Sequence, residues 1–94
     1  HRFTTSYVSA SAQSKALSVI AAELSDQELA MVKRGRNAHT RHPAPRSATS
    51  AEYAAATGFE ALLGFLYLTG QSDRIDALIE QIQTHMDAQE KRRA

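Results

Sequence analysis

Residues 54–68 read Ala-Ala-Ala-Thr-Gly-Phe-Glu-Ala-Leu-Leu-Gly-Phe-Leu-Tyr-Leu, and Glu60 is the only charge among them. At 100° per residue the Phe, Leu and Tyr side chains of this run surround the helix axis. A helix that is apolar on every side is expected to be buried. A carboxylate in the middle of such a helix costs several kcal/mol to desolvate unless something compensates it. The run therefore predicts a central helix, and it predicts that Glu60 has a basic partner, a shifted pKa or a metal ion.

The remaining segments have the same period. Thr4, Thr5 and Ser6 are candidate N-caps for a first helix over roughly 5–24, with Val8, Ala12, Ala16, Val19, Ile20 and Leu24 as its apolar stripe. Ser25-Asp26-Gln27-Glu28 has the form of a capping box and opens a short helix through Leu29, Met31 and Val32. Gly35 is suited to end that helix in a left-handed conformation. Residues 36–48 read as irregular, because Pro43 and Pro45 cannot lie inside a helix. Thr49-Ser50-Ala51-Glu52 is a second capping box and opens the apolar helix, which Gly70 ends. Ser72 is the expected cap of a last helix carrying the stripe Ile75, Leu78, Ile79, Ile82 and Met86, with a fraying tail from Glu90 to Arg93. No segment alternates with period two, so the fold class is all-α.

A chain of 94 residues holds at most one small domain. With no cysteine, disulfides and cysteine-based zinc sites are excluded. No stretch of about 18 apolar residues is free of charge, so no membrane span is expected. The chain starts at His1 on what reads as the entry to a helix, which suggests the C-terminal portion of a longer domain.

The net charge of +1 conceals an asymmetry. Residues 33–46 contain Lys33, Arg34, Arg36, Arg41 and Arg46, with His39 and His42 and no acid. Such a strip suits an anionic partner; a solvated loop is the plain alternative. Asn37 adds a donor and an acceptor fit for a 2′-hydroxyl or a base edge. Without interleaved aromatics, the strip favours a duplex backbone over stacked single strands. Two histidines among arginines make a weak zinc pair, and His85 reads as a surface residue.

On the same helical wheel, Tyr53, Ala56, Gly64 and Tyr67 lie within about 40° of Glu60. Gly64 removes a side chain beside the carboxylate, so a helix, a backbone or an ion can approach. Mg²⁺ wants octahedral oxygen ligands, usually more than one carboxylate plus waters. Asp26, Glu28, Glu52 and the acids of the last helix lack a comparably apolar setting, so any partner ligands of Glu60 are expected outside this chain. The structural alternative is an ion pair with Arg34 or Arg36.

Lys33-Arg34-Gly35-Arg36-Asn37-Ala38, then Tyr53, then Thr57-Gly58-Phe59-Glu60-Ala61-Leu62-Leu63-Gly64-Phe65-Leu66-Tyr67-Leu68, strongly resembles the Mini-ribonuclease III family. Phe3 to Ala10, with Ala12 and Gln13, is similar to the helix after that family's first motif. These are ribonuclease III catalytic domains without a double-stranded-RNA-binding domain. The resemblance covers nearly all of residues 1–88, and the order and spacing of its segments make it specific. Glu60-Ala61-Leu62-Leu63-Gly64 matches the family's Glu-Ala-Leu-x-Gly motif, which implies a catalytic, metal-binding role for Glu60. Classical members have an Asp where this chain has Thr57. The family's Gly-Asp-Ala-Val motif is absent and would lie upstream of His1. The resemblance thus implies that residues 1–94 are the C-terminal portion of a single ribonuclease III-like domain, inactive alone.

It further implies a homodimer that uses Mg²⁺ to cleave double-stranded RNA, with the precursor of large-subunit ribosomal RNA as substrate. Lys33, Arg34, Arg36, Asn37, Arg41 and Arg46 would contact the RNA. The expected compartment is the cytoplasm, or a plastid if a transit peptide precedes the chain. A non-catalytic module that binds RNA or ribosomal particles remains an alternative, as does a helical protein–protein module.

Overall fold

The computed structural model describes residues 9–38 and 49–93, the side chain of Arg93 excepted. They form α1 (Ala10–Ile20), a single 3-10 turn (Ala21–Glu23), α2 (Asp26–Ala38), α3 (Ser50–Leu68) and α4 (Ser72–Arg93), with no strand among the described residues. The all-α reading holds. The expected caps at Thr4, Thr5 and Ser6 lie outside the described residues. Ser9 performs that task, its hydroxyl accepting from the Ala12 N–H at 3.1 Å.

Both capping boxes form. The Thr49 hydroxyl accepts from the Glu52 N–H while the Glu52 carboxylate accepts from the Thr49 N–H, each at 3.0 Å. These reciprocal bonds satisfy donors that a helix start leaves open and hold the Glu52 carboxyl below its ordinary range. At the far end of α3, Gly70 takes φ +74° and donates to the Tyr67 carbonyl at 3.1 Å. The next residue, Gln71, donates to the Leu66 carbonyl at 2.8 Å. Its own carbonyl accepts from Ile75, so Gln71 occupies the cap position and the expected cap, Ser72, is the first helical residue. The tail is helical through Arg93 rather than frayed.

α3 is the central element. Phe59, Leu62 and Leu66 of α3 are buried together with Ile20 of α1, Val32 of α2 and Ile75 and Leu78 of α4, so three helices close on one side of it. Burying a large apolar side chain contributes roughly 1.5–3 kcal/mol, and this interior is the main source of stability. The stripe of α4 is only partly used: Ile75 and Leu78 are buried, whereas Ile79, Ile82 and Met86 are half-buried.

Gly35 corrects the sequence reading. It does not end α2, which continues to Ala38 and includes residues expected to be irregular. It is buried where α2 crosses α3. A Cβ at Gly35 would lie 2.6 Å from the Thr57 carbonyl oxygen and 2.7 Å from the Gly58 Cα. A Cβ at Gly58 would lie 2.8 Å from the Val32 carbonyl oxygen. The glycine pair lets two backbones meet, and side-chain periodicity carries no signal of such a contact.

Candidate metal and nucleic-acid site

Glu60 is exposed, contrary to the buried setting expected from the apolar run. The bundle covers one side of α3 and leaves a strip open. Tyr53, Glu60, Gly64 and Tyr67 share that strip, and Tyr67 is 58% exposed and Leu68 83% exposed. Ala56, expected on the same face, turns inward and is buried. Nothing approaches within 4 Å of the place where a Gly64 Cβ would stand, so the room expected beside the carboxylate is present. Half-buried Thr57 donates its hydroxyl to the Tyr53 carbonyl at 2.9 Å.

No hydrogen bond or ion pair reaches Glu60 among the described residues. The expected alternative pairing with Arg34 or Arg36 is therefore not made. Partial desolvation by its apolar neighbours raises the Glu60 carboxyl above its ordinary range. Among the described residues no three His, Asp or Glu side chains converge as a metal site. Mg²⁺ commonly takes one or two carboxylates, several waters and substrate phosphates. An exposed, unpaired carboxylate fits one such ligand position, but one carboxylate does not make a complete shell.

The buried carboxylate is Glu28, which the sequence presented only as a helix cap. It is 5% exposed. It accepts from the Ser25 N–H at 2.8 Å, and from Arg74 Nε at 2.9 Å and Nη2 at 3.0 Å. The same Nη2 donates to the Glu23 carbonyl at 2.9 Å. The hydrogen bonds from Arg74 hold the Glu28 carboxyl below its ordinary range and outweigh the cost of burial. Arg74 was not singled out in the sequence, since only the tertiary fold brings it to a residue 46 positions away.

Of the basic strip, Lys33, Arg34, Arg36 and Asn37 lie on the exposed surface of α2, while Arg41, Arg46 and the His39–His42 pair lie outside the described residues. The four do not share one face. Arg36 packs its stem beside Gly58 and, with Lys33 and Asn37, borders a hollow on the α1 side of α2. On the helical wheel Arg34 falls on the opposite flank of the buried Gly35. His85 is exposed, as its place on the last helix led one to expect.

The motif that carries Glu60 can now be set against known proteins. The family model for the ribonuclease III domain matches residues 1–71. A Mini-ribonuclease 3 from Symbiobacterium thermophilum is 50% identical over 80 residues, covering 85% of this chain and 61% of the relative. The chain belongs to the Mini-ribonuclease 3 family. A Mini-ribonuclease 3 from Desulfitobacterium hafniense is 46% identical, covering 87% of this chain and 51% of the relative. Another from Kosmotoga olearia is 36% identical over 91 residues, covering 97% of this chain and 61% of the relative. The chain thus spans about half to three-fifths of the length of these Mini-ribonuclease 3 proteins. No solved structure matches it. No helix among the described residues is long and apolar enough to cross a membrane.

Proposed function

We propose that this chain contributes Glu60 to the active site of a Mg²⁺-dependent endoribonuclease that cleaves double-stranded RNA. The observation that carries this reading is Glu60 itself, an exposed carboxylate with no partner among the described residues, beside open space at Gly64, in the Glu-Ala-Leu-x-Gly motif. An exposed acid on an apolar helix, without a partner among the described residues, is poorly explained by packing and is suited to holding a cation.

One Glu60 oxygen would hold the ion, with further carboxylates supplied from outside the described residues. When bound, Mg²⁺ supplies an activated water and stabilises the leaving oxygen of a phosphodiester. The residues of α2 serve binding. Lys33 and Arg36 would meet phosphates, and Asn37 a 2′-hydroxyl, on an A-form duplex read mainly by shape; Arg34, on the opposite flank of α2, would meet a separate stretch of the phosphate backbone. Arg41 and Arg46 would extend that contact. The open, partly apolar strip with Tyr67 and Leu68 supports a homodimer, which gives one site per strand. We read residues 1–94 as the C-terminal portion of one domain and the substrate as the precursor of large-subunit ribosomal RNA, processed in the cytoplasm.

The test uses Glu60→Gln in a form of the protein that cleaves duplex RNA. The amide keeps the shape and loses the charge. Cleavage should fall by about a hundredfold or more, with duplex affinity unchanged. A variant that cleaves normally removes Glu60 from the chemistry. Among the described residues no three His, Asp or Glu side chains gather as a metal site, which favours one other reading, a non-catalytic RNA-binding module. Under that reading no form of the protein cleaves, while duplex binding persists.

A further inference from the structure

Two hollows of about 290 and 480 Å³ share Leu29, Val32 and Arg36 and make one groove along α2; among the described residues the smaller lies between α1 and α2, and the larger is lined by α2 alone. Its floor is aliphatic, with Leu17, Leu24 and Val32 buried at the bottom and Leu29 43% exposed at the mouth. Lys33 and Arg36 stand along the α2 edge. Across the smaller hollow stand Ser14, Ser18 and Ala21, and among the described residues no carboxylate lines either hollow. From Leu29 to Arg36 the α2 edge runs about 10 Å, close to two helical turns.

We propose that this groove receives an acidic amphipathic helix from another protein. The floor needs an apolar stripe, which a helix presents at positions three and four apart. The cations of the α2 edge, Lys33 and Arg36, select acidic residues on one flank of that stripe. RNA meets only half of these requirements. The phosphates of a duplex suit Lys33 and Arg36, but a charged backbone gains nothing from the aliphatic floor. The proposal stands on the groove and is independent of the cleavage reading. Lys33 and Arg36 serve both ligands, so a helix docked here excludes duplex RNA from that edge.

The probe is a fluorescein-labelled synthetic helix with Leu at three- and four-residue spacing and Glu elsewhere. It is titrated against the whole chain by anisotropy at low salt, beside a version in which Lys replaces Glu. The acidic peptide should bind saturably, and the Lys version about tenfold or more weaker. Leu29→Glu, at an exposed position, and Ser18→Tyr, which narrows the groove from the other wall, should each weaken binding about tenfold while circular dichroism stays unchanged. Lys33→Glu with Arg36→Glu should do the same. Absence of saturable binding, equal binding of the Lys peptide, or indifference to Leu29→Glu overturns the proposal. Self-association of the chain that Leu29→Glu abolishes assigns the groove to a second copy and likewise overturns it. Loss of duplex RNA affinity in Leu29→Glu, without peptide binding by the parent, assigns it to RNA. A chain that binds the peptide but no duplex RNA leaves this proposal standing and removes the RNA reading.

Discussion

Glu28 and Glu60 are both helical glutamates, and their surroundings invert what their neighbours in the chain suggest. Glu60, set in the apolar run, reaches the surface, while Glu28, in a polar capping segment, is buried. Their acidities move against burial as well. Glu28 is the more acidic because Arg74 donates to it twice; Glu60 is the less acidic because its neighbours displace water and supply no donor. Partners, more than depth, decide the state of a carboxylate. The Glu28 corner holds α2 in place, whereas Glu60 has no partner among the described residues. Arg74, on α4, lies just beyond the stretch matched by the ribonuclease III family model.

The comparison is broken most forcefully at the glycine crossing, which with Glu28 fixes α2 at two points. Gly35→Leu would drive a side chain into the backbone at Thr57 and Gly58. Its better helix propensity returns about 1 kcal/mol, while the forced separation should cost about 3 kcal/mol or more. Urea unfolding is the measurement, and a stable variant would disprove the close approach.

Next in size is Arg74→Met, which leaves the Glu28 carboxylate buried with only its Ser25 bonds. A loss of about 2 kcal/mol is expected, less than for a fully buried pair because the Arg74 side chain is 34% exposed. A loss below about 0.5 kcal/mol would make the bridge ornamental.

The pH dependence sharpens the contrast. The carboxyl of Glu28 is more acidic folded than unfolded, so its stabilisation is complete above the ordinary value of 4.5 and disappears as pH falls through the lower folded value. The stability gap between the parent and Arg74→Met should thus be full at neutral pH and close in acid. A gap independent of pH would mean that Arg74 acts through packing alone.

Smallest is the effect of Glu60→Gln on stability without metal. A raised folded value means that ionised Glu60 slightly disfavours the fold above 4.5, the reverse sign from Glu28. Since the side chain is exposed, the variant should gain no more than about 0.5 kcal/mol at neutral pH and nothing in acid. A marked loss would reveal a partner for Glu60 and undo the contrast.

By itself the sequence determined the helices, since their apolar periods and the caps at Ser25, Thr49 and Gly70 are local. It also marked Glu60 as the residue to explain, because a lone acid in an apolar run is visible without coordinates. The same local view placed Ser72 one position late and ended α2 at Gly35, where a glycine fits both a helix end and a close crossing. Tertiary structure alone decided which side of α3 is covered. An apolar wheel states how much surface can be buried, whereas the number and placement of packed helices state how much is. It alone also joined Arg74 to Glu28, because an ion pair between distant positions leaves no periodic trace. The apolar groove beside Lys33 and Arg36 likewise appears only once α1 and α2 are packed together.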